Sequence, residues 1–123
     1  MDKQRADLIK PELRGHGFSG CISFEGLSGD IAKQLLSGRP NADPEDKQNY
    51  SPTMREMVDL ALKYEGTLEG YIITVESGRE DARITFDGFT IKTSKKEALK
   101  LKTKLKPSDF TEIDNTTFQF WWD

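Results

Sequence analysis

His16 is the single histidine of the chain and Cys21 its single cysteine, five residues apart, with Ser19 and Ser23 beside them. A cysteine or serine nucleophile needs a base about 3 Å away, itself oriented by a third group. No local pattern here supplies that third group. Cys21-Ile22-Ser23-Phe24 is strand-like, which reads Cys21 as a small buried hydrophobe. The same segment, Gly15-His16-Gly17-Phe18-Ser19-Gly20, matches G-x-G-x-x-G. The dinucleotide fingerprint needs a strand before it and a helix opening within it. Here the strand-like residues follow, so the segment reads as a glycine-rich connection into an early strand, and no cofactor is implied.

Carboxylates offer a second chemistry. A two-carboxylate pairing of the kind small hydrolases use can be drawn from Glu69, Glu76, Glu80 and Asp81. Glu80 and Asp81 border a hairpin loop, where solvated charge is the ordinary outcome. Asp43, Glu45 and Asp46 cluster, but without the glycine and twelfth-position glutamate of a calcium loop. With one histidine and one cysteine, no metal site is expected.

Binding chemistry is better supplied. Seven lysines (92, 95, 96, 100, 102, 104 and 106) stand against one acid, Glu97. That local balance of +6 leaves −9 on the remainder of a chain whose net charge is −3. A lysine stripe beside exposed aromatic rings is how single-stranded nucleic acid is often held. The stripe has no arginine, the usual choice for bidentate phosphate contacts, and lysines on edge strands also guard against aggregation. The chain closes on Phe118-Gln119-Phe120-Trp121-Trp122. Tryptophan is enriched at interface hot spots, and a terminal strand with open edges can pair with a partner or a second copy. The candidate binding residues are therefore Lys96, Lys100, Lys102, Lys104, Phe120, Trp121 and Trp122. In the plain alternative, the two tryptophans lid the core from both sides of the last strand.

The elements that must position these groups are written in turn and periodicity signals. The 123 residues suit one domain, with a core large enough to need no metal or disulfide. The opening residues lack an apolar leader and no run approaches a bilayer span, so a reducing cytoplasmic setting without a membrane partner is expected. Two N-x-[ST] triplets, at Asn49 and Asn115, are read as chance. Residues 1–14 carry a short helical pattern interrupted by Pro11, or a mobile arm. Ser28 or Asp30 caps a short helix over 31–36, and 39–50 is a polar loop. Ser51 as N-cap and Pro52 at the first position open the main helix, 51–65, with Met54, Met57, Val58, Ala61 and Leu62 on one stripe and Gly66 ending it.

Residues 66–93 then read as a three-stranded meander. Its second hairpin turns at Asp87-Gly88, since Asp-Gly between alternating runs is the strongest short hairpin signal. Residues 94–106 are ambiguous. Ser94 and Glu97 form a capping-box pattern, yet Leu99 to Leu105 alternates without a break, and the reading leans to a strand. A last hairpin over 110–122, turning at Asp114-Asn115, completes an α+β domain: an antiparallel meander of four to six strands packed by one main helix and one or two short N-terminal ones. The function expected is a non-enzymatic protein-interaction or regulatory module using its C-terminal aromatic strand, with a protein partner or as a homo-oligomer. Nucleic-acid binding through the lysine stripe is the alternative, and a small hydrolase ranks third.

Overall fold

A computed structural model describes residues 7–18, 21–37, 44–45, 47, 50–73, 78 and 82–122. The fold is α+β, with three α-helices and one six-stranded antiparallel sheet. Strands β1 (Arg14–Phe18), β2 (Cys21–Ser28), β3 (Thr67–Ile73), β4 (Arg83–Lys92), β5 (Asp109–Asp114) and β6 (Thr117–Trp121) lie in the order β1-β2-β3-β4-β6-β5. Helices α1 (Gly29–Leu36) and α2 (Met54–Lys63) sit between β2 and β3 in the chain, and α3 (Lys95–Leu105) follows β4.

All three helices pack on one side of the sheet. Period-two alternation sends Phe24, Leu68, Ile72, Ile84, Phe86, Phe89, Ile91, Phe118 and Phe120 to that side, all buried. Ala32, Leu35, Met54, Met57, Val58, Ala61 and Ala98 meet them from the helices. Aromatic pairs knit the C-terminal half together. Phe89 stacks on Phe120 at 5.0 Å, and Phe110 meets Phe120 edge-on at 5.0 Å. The methionines of α2 are core, as is Ile9 from the N-terminal segment. That segment forms no helix over its described part, only a 3₁₀ turn at Pro11–Leu13, because proline at the first position starts a turn that β1 immediately replaces. Residues 1–6 and most of the 39–50 loop lie outside the described residues.

Helix α2 starts two residues later than its sequence signals suggest. Thr53, not Ser51, is the N-cap. Its hydroxyl accepts from Glu56 N–H at 3.2 Å and the Glu56 carboxylate accepts from Thr53 N–H at 3.2 Å, a reciprocal capping box. Ser51 is instead buried, its hydroxyl donating to the Pro52 carbonyl. At the other end Glu65 takes the left-handed conformation, and Gly66 N–H reaches back to Ala61 C=O at 2.7 Å, the Schellman arrangement. Gly66 is needed one place later than expected. A side chain there would strike the Thr90 carbonyl.

Two expectations are overturned. Asp87-Gly88 is no hairpin turn. It lies in the middle of the ten-residue strand β4. Gly70 pairs with Phe86 and Glu69 with Gly88, so Asp87 is the unmatched residue of a β-bulge. The conformational freedom that makes Asp-Gly good at turns also suits a bulge, and the pairing partners decide which forms. Second, 95–105 is helix α3, capped by the Ser94 hydroxyl accepting from Glu97 N–H. The topology requires it. Gly88 pairs with Trp121, which pairs with Asp109, so β4 and β5 run parallel on either side of β6. A parallel connection must return to the starting end of the sheet. Eleven helical residues span about 16 Å, which matches about five residues of strand. A helix buries Ala98 and half-buries Leu101 and Leu105 while leaving Leu99 exposed, so the perfect alternation of the sequence is not used.

The last hairpin forms, with its tip at Asn115-Thr116, one residue later than expected, and Thr116 N–H donates to the Asp114 carboxylate at 2.9 Å. Trp122 closes the structure. Its backbone N–H donates to Asp87 C=O at 2.9 Å and its indole N–H to Leu105 C=O at 3.3 Å. Trp122→Ala is expected to cost about 3–5 kcal/mol in urea unfolding, since it empties a core site and releases the end of α3. Trp121→Ala, one residue away, is expected to cost no more than about 1 kcal/mol.

Candidate functional site

Period-two alternation that fills the core also fixes what the other face of the sheet carries. Ser23 and Glu25 of β2, Glu69 and Tyr71 of β3, Thr85 of β4, and Gln119 and Trp121 of β6 occupy positions opposite to the core residues. No described helix covers this face, although Thr85 and Ile73, at positions on it, are buried. The bulge adds one more group, because the extra residue brings Asp87 beside Glu69 in the same cleft.

That cleft, about 360 Å³, is bounded by Glu12, Arg14, Glu25, Glu69, Asp87 and Trp121 among others. Four carboxylates thus face one arginine. Arg14 is already engaged, donating to Ile9 C=O at 3.1 Å and lying 3.6 Å from the Asp7 carboxylate. Glu69 sits at the centre, and it also borders the two adjoining hollows towards Thr90 and towards Asp109. Gln119 Nε2 donates to both Glu69 oxygens, at 3.0 and 2.9 Å. Burial nevertheless pushes the Glu69 carboxyl up to about 7, and the charges of Asp87 and Glu25 add to the rise. Burial also raises the Asp87 carboxyl, opposed by its own backbone N–H and by the Trp121 side chain, whose indole N–H is its only donor.

The arrangement is tightly built. A Cβ on Gly88 would lie 2.5 Å from Glu69 Oε1 and 3.1 Å from Trp121 Cδ1, so carboxylate and indole both rest over the bare glycine. Further along, Arg83 donates to the Tyr71 hydroxyl at 3.0 Å and lies 5.6 Å from its ring centre. Among the described residues no group of three or more His, Cys, Asp and Glu is placed to hold a metal.

The candidate binding residues separate. Phe120 and Trp122 are buried in the core and cannot form a contact surface. Strand β6 is hydrogen-bonded to β4 on one side and β5 on the other, so it offers no open edge. Of the three rings named on this strand only Trp121 reaches the face opposite the helices, where it is half-buried beside Gln119. Lys96, Lys100, Lys102 and Lys104 are exposed on α3, across the sheet from Trp121, so the lysines and this ring form no common site. Lys102 lies 5.0 Å above the Phe110 ring, and Lys95 lies 3.6 Å from the Glu112 carboxylate. His16 belongs to β1, but its side chain lies outside the described residues, as do Glu76, Glu80, Asp81, Asp43 and Asp46. Cys21 opens β2, half-buried, with a free thiol. Sequence reasoning named Glu69 only as half of a hydrolase pair and took Asp87 for a turn residue. Acidic residues at period-two positions opposite core residues were the available signal.

No known protein family matches the chain, and no solved structure does. Over 79 residues, 64% of its length, the chain is 32% identical to ribonuclease Y of Helicobacter acinonychis (strain Sheeba). Over 78 residues it is 31% identical to ribonuclease Y of Helicobacter pylori (strain ATCC 700392 / 26695). These stretches are 15% and 14% of the two proteins, so the chain spans about a seventh of the curated relatives it matches. Among the described residues no helix is long and apolar enough to cross a membrane.

The Glu69 carboxyl makes stability pH-dependent with a definite sign. An acid whose folded pKa is raised contributes its full stability below the unfolded value of 4.5, and that contribution is lost as pH rises through about 7. Discounted for partial solvent exposure, the loss is about 1–2 kcal/mol. Glu69→Gln keeps the shape and removes the titration. Urea unfolding at pH 5 and pH 8 is expected to show the variant gaining on wild type at pH 8. A variant with the same pH dependence as wild type would refute burial of Glu69 as its source.

Proposed function

We propose that this chain is a non-enzymatic interaction module whose contact surface is the uncovered face of its sheet. The observation that carries this reading is a six-stranded sheet whose described helices all lie on one side, with a half-buried tryptophan on the other. A face of this kind exposes ring and carboxylate together, at a cost in stability that a purely structural sheet would avoid. The excess of carboxylates around Glu69 selects against polyanions and in favour of a basic protein partner. Trp121 supplies the anchor from the aromatic strand. The reading is tested by placing a photocrosslinking amino acid at Thr111, beside Trp121 on this face, and at Lys100 on α3, in cells that make the protein. A discrete protein adduct from Thr111, lost on Trp121→Ala, is expected. Protein adducts from Lys100 alone would move the contact surface to the helices.

A second reading is nucleic-acid binding through α3, favoured by two observations. Lys96, Lys100 and Lys104 stand at i, i+4 and i+8, a like-charged row that costs about 0.2–0.5 kcal/mol per pair. The relatives that match part of the chain are named ribonucleases. On this reading the acidic sheet face stays away from the phosphates and the helix lies against them. Fluorescence anisotropy with single-stranded and duplex oligonucleotides at low salt is the check. Binding that falls at least about tenfold between 50 and 200 mM salt, and is lost in Lys96→Glu/Lys100→Glu, is expected if α3 carries it. Absence of binding at low salt removes the reading.

A further inference from the structure

We propose that the cleft at Glu69 seats an arginine side chain of a basic protein partner, with the guanidinium against the Trp121 ring and paired with the carboxylates of Glu69 and Asp87. This rests on the reading of the uncovered face as a docking surface and names the chemistry of what docks there.

Charge complementarity supplies the first argument. Four of the elements that line the cleft contribute an acid: Glu12 from the 3₁₀ turn, Glu25 from β2, Glu69 from β3 and Asp87 from β4. Asp109 of β5 borders the hollow on the far side of Trp121. Arg14 of β1, the one cation among the described lining residues, is engaged by Ile9 and Asp7. Gln119 of β6 is neutral and serves Glu69.

Preorganisation supplies the second. The Trp121 side chain hydrogen-bonds the Asp87 carboxylate, which positions the ring beside the acids, and an indole face attracts a cation. Gln119 fixes the Glu69 carboxylate through both oxygens, and a carboxylate has further lone pairs to offer. Gly88 lets the carboxylate and the ring sit side by side. A planar fork that pairs with a carboxylate while stacking on a ring is what arginine has and lysine lacks.

The same geometry couples binding to protons. Burial holds Glu69 partly protonated near neutral pH. A guanidinium beside it favours the ionised form, so docking releases a proton and tightens as pH rises.

The experiment titrates the whole chain with a labelled oligoarginine peptide, and with oligolysine and oligoglutamate of equal length, by anisotropy at pH 6 and pH 8. Oligoarginine is expected to bind more tightly than oligolysine, and oligoglutamate not at all. Affinity for oligoarginine should rise at least about threefold from pH 6 to pH 8. Trp121→Ala should weaken it about tenfold or more, while Trp121→Phe retains most of it. Glu69→Gln should weaken it and abolish the pH dependence. Thermal melts establish that each variant is folded. Equal affinity for oligolysine, or binding insensitive to both Trp121→Ala and Glu69→Gln, overturns the proposal. So does light scattering that shows wild type assembling with itself through Trp121, since the occupant would then be a second copy. A Thr111 protein adduct without arginine preference removes the arginine seat and leaves the interaction module standing, whereas failure of both removes both.

Discussion

The bulge at Asp87 is the constraint on which the rest of the structure depends. One extra residue in β4 lets a single ten-residue strand serve both halves of the sheet. Its first residues pair with β3 alone, Gly88 to Thr90 pair with β3 and β6, and Lys92 pairs with β6. Without the extra residue, the alternation from Ile84 and Phe86 to Phe89 and Ile91 would fall out of phase. One of the two pairs would then face solvent. The bulge keeps all four in the core, and the displaced Asp87 supplies the carbonyl that fastens Trp122 and the carboxylate that meets Trp121. Packing and candidate function meet at one backbone irregularity, which is where β-bulges are commonly found.

The two faces of the sheet are stabilised by different means. On the helix side the gain comes from burial of large side chains in stacked and edge-on aromatic pairs. The uncovered face relies on paired polar groups: Gln119 with Glu69, Trp121 with Asp87, Arg83 with Tyr71 and Thr85. These contacts hold the side chains still, yet they do not neutralise the carboxylates, whose ionisation is resisted by burial. Side chains held in this way have little ordering entropy left to lose in any further contact.

Helix α3 adds a third surface with the opposite sign. Its buried stripe is narrow, Ala98 with Leu101 and Leu105, and its lysines are directed to solvent. Tyr64 ties its first turn to the end of α2 through Glu97 at 2.9 Å, and Trp122 ties its last turn to β6. The positive row is therefore held rigidly against the domain. The separation of sign across the sheet gives a chain of net charge −3 an acidic cleft on one side and a basic helix on the other.

What the sequence determined by itself was local and periodic. Alternation placed Phe118, Phe120 and Trp122 on one face with Gln119 and Trp121 on the other, as the structure has them. The stripe of α2 (apart from Leu62, which is exposed), the short helix after Ser28 and the final hairpin were legible because each rests on contacts within a few residues. The fold class followed from their order. Tertiary structure decided the cases in which two local signals competed. Ser94 to Leu105 carries a helix cap but an alternation that leans to a strand, and the parallel placement of β4 and β5 chose the helix. Asp87-Gly88 suited a turn and a bulge alike, and the long-range pairing of Glu69 with Gly88 chose the bulge. The candidate site was illegible for the same reason. Glu69, Asp87, Gln119 and Trp121 come from three strands, and only the sheet register makes them neighbours.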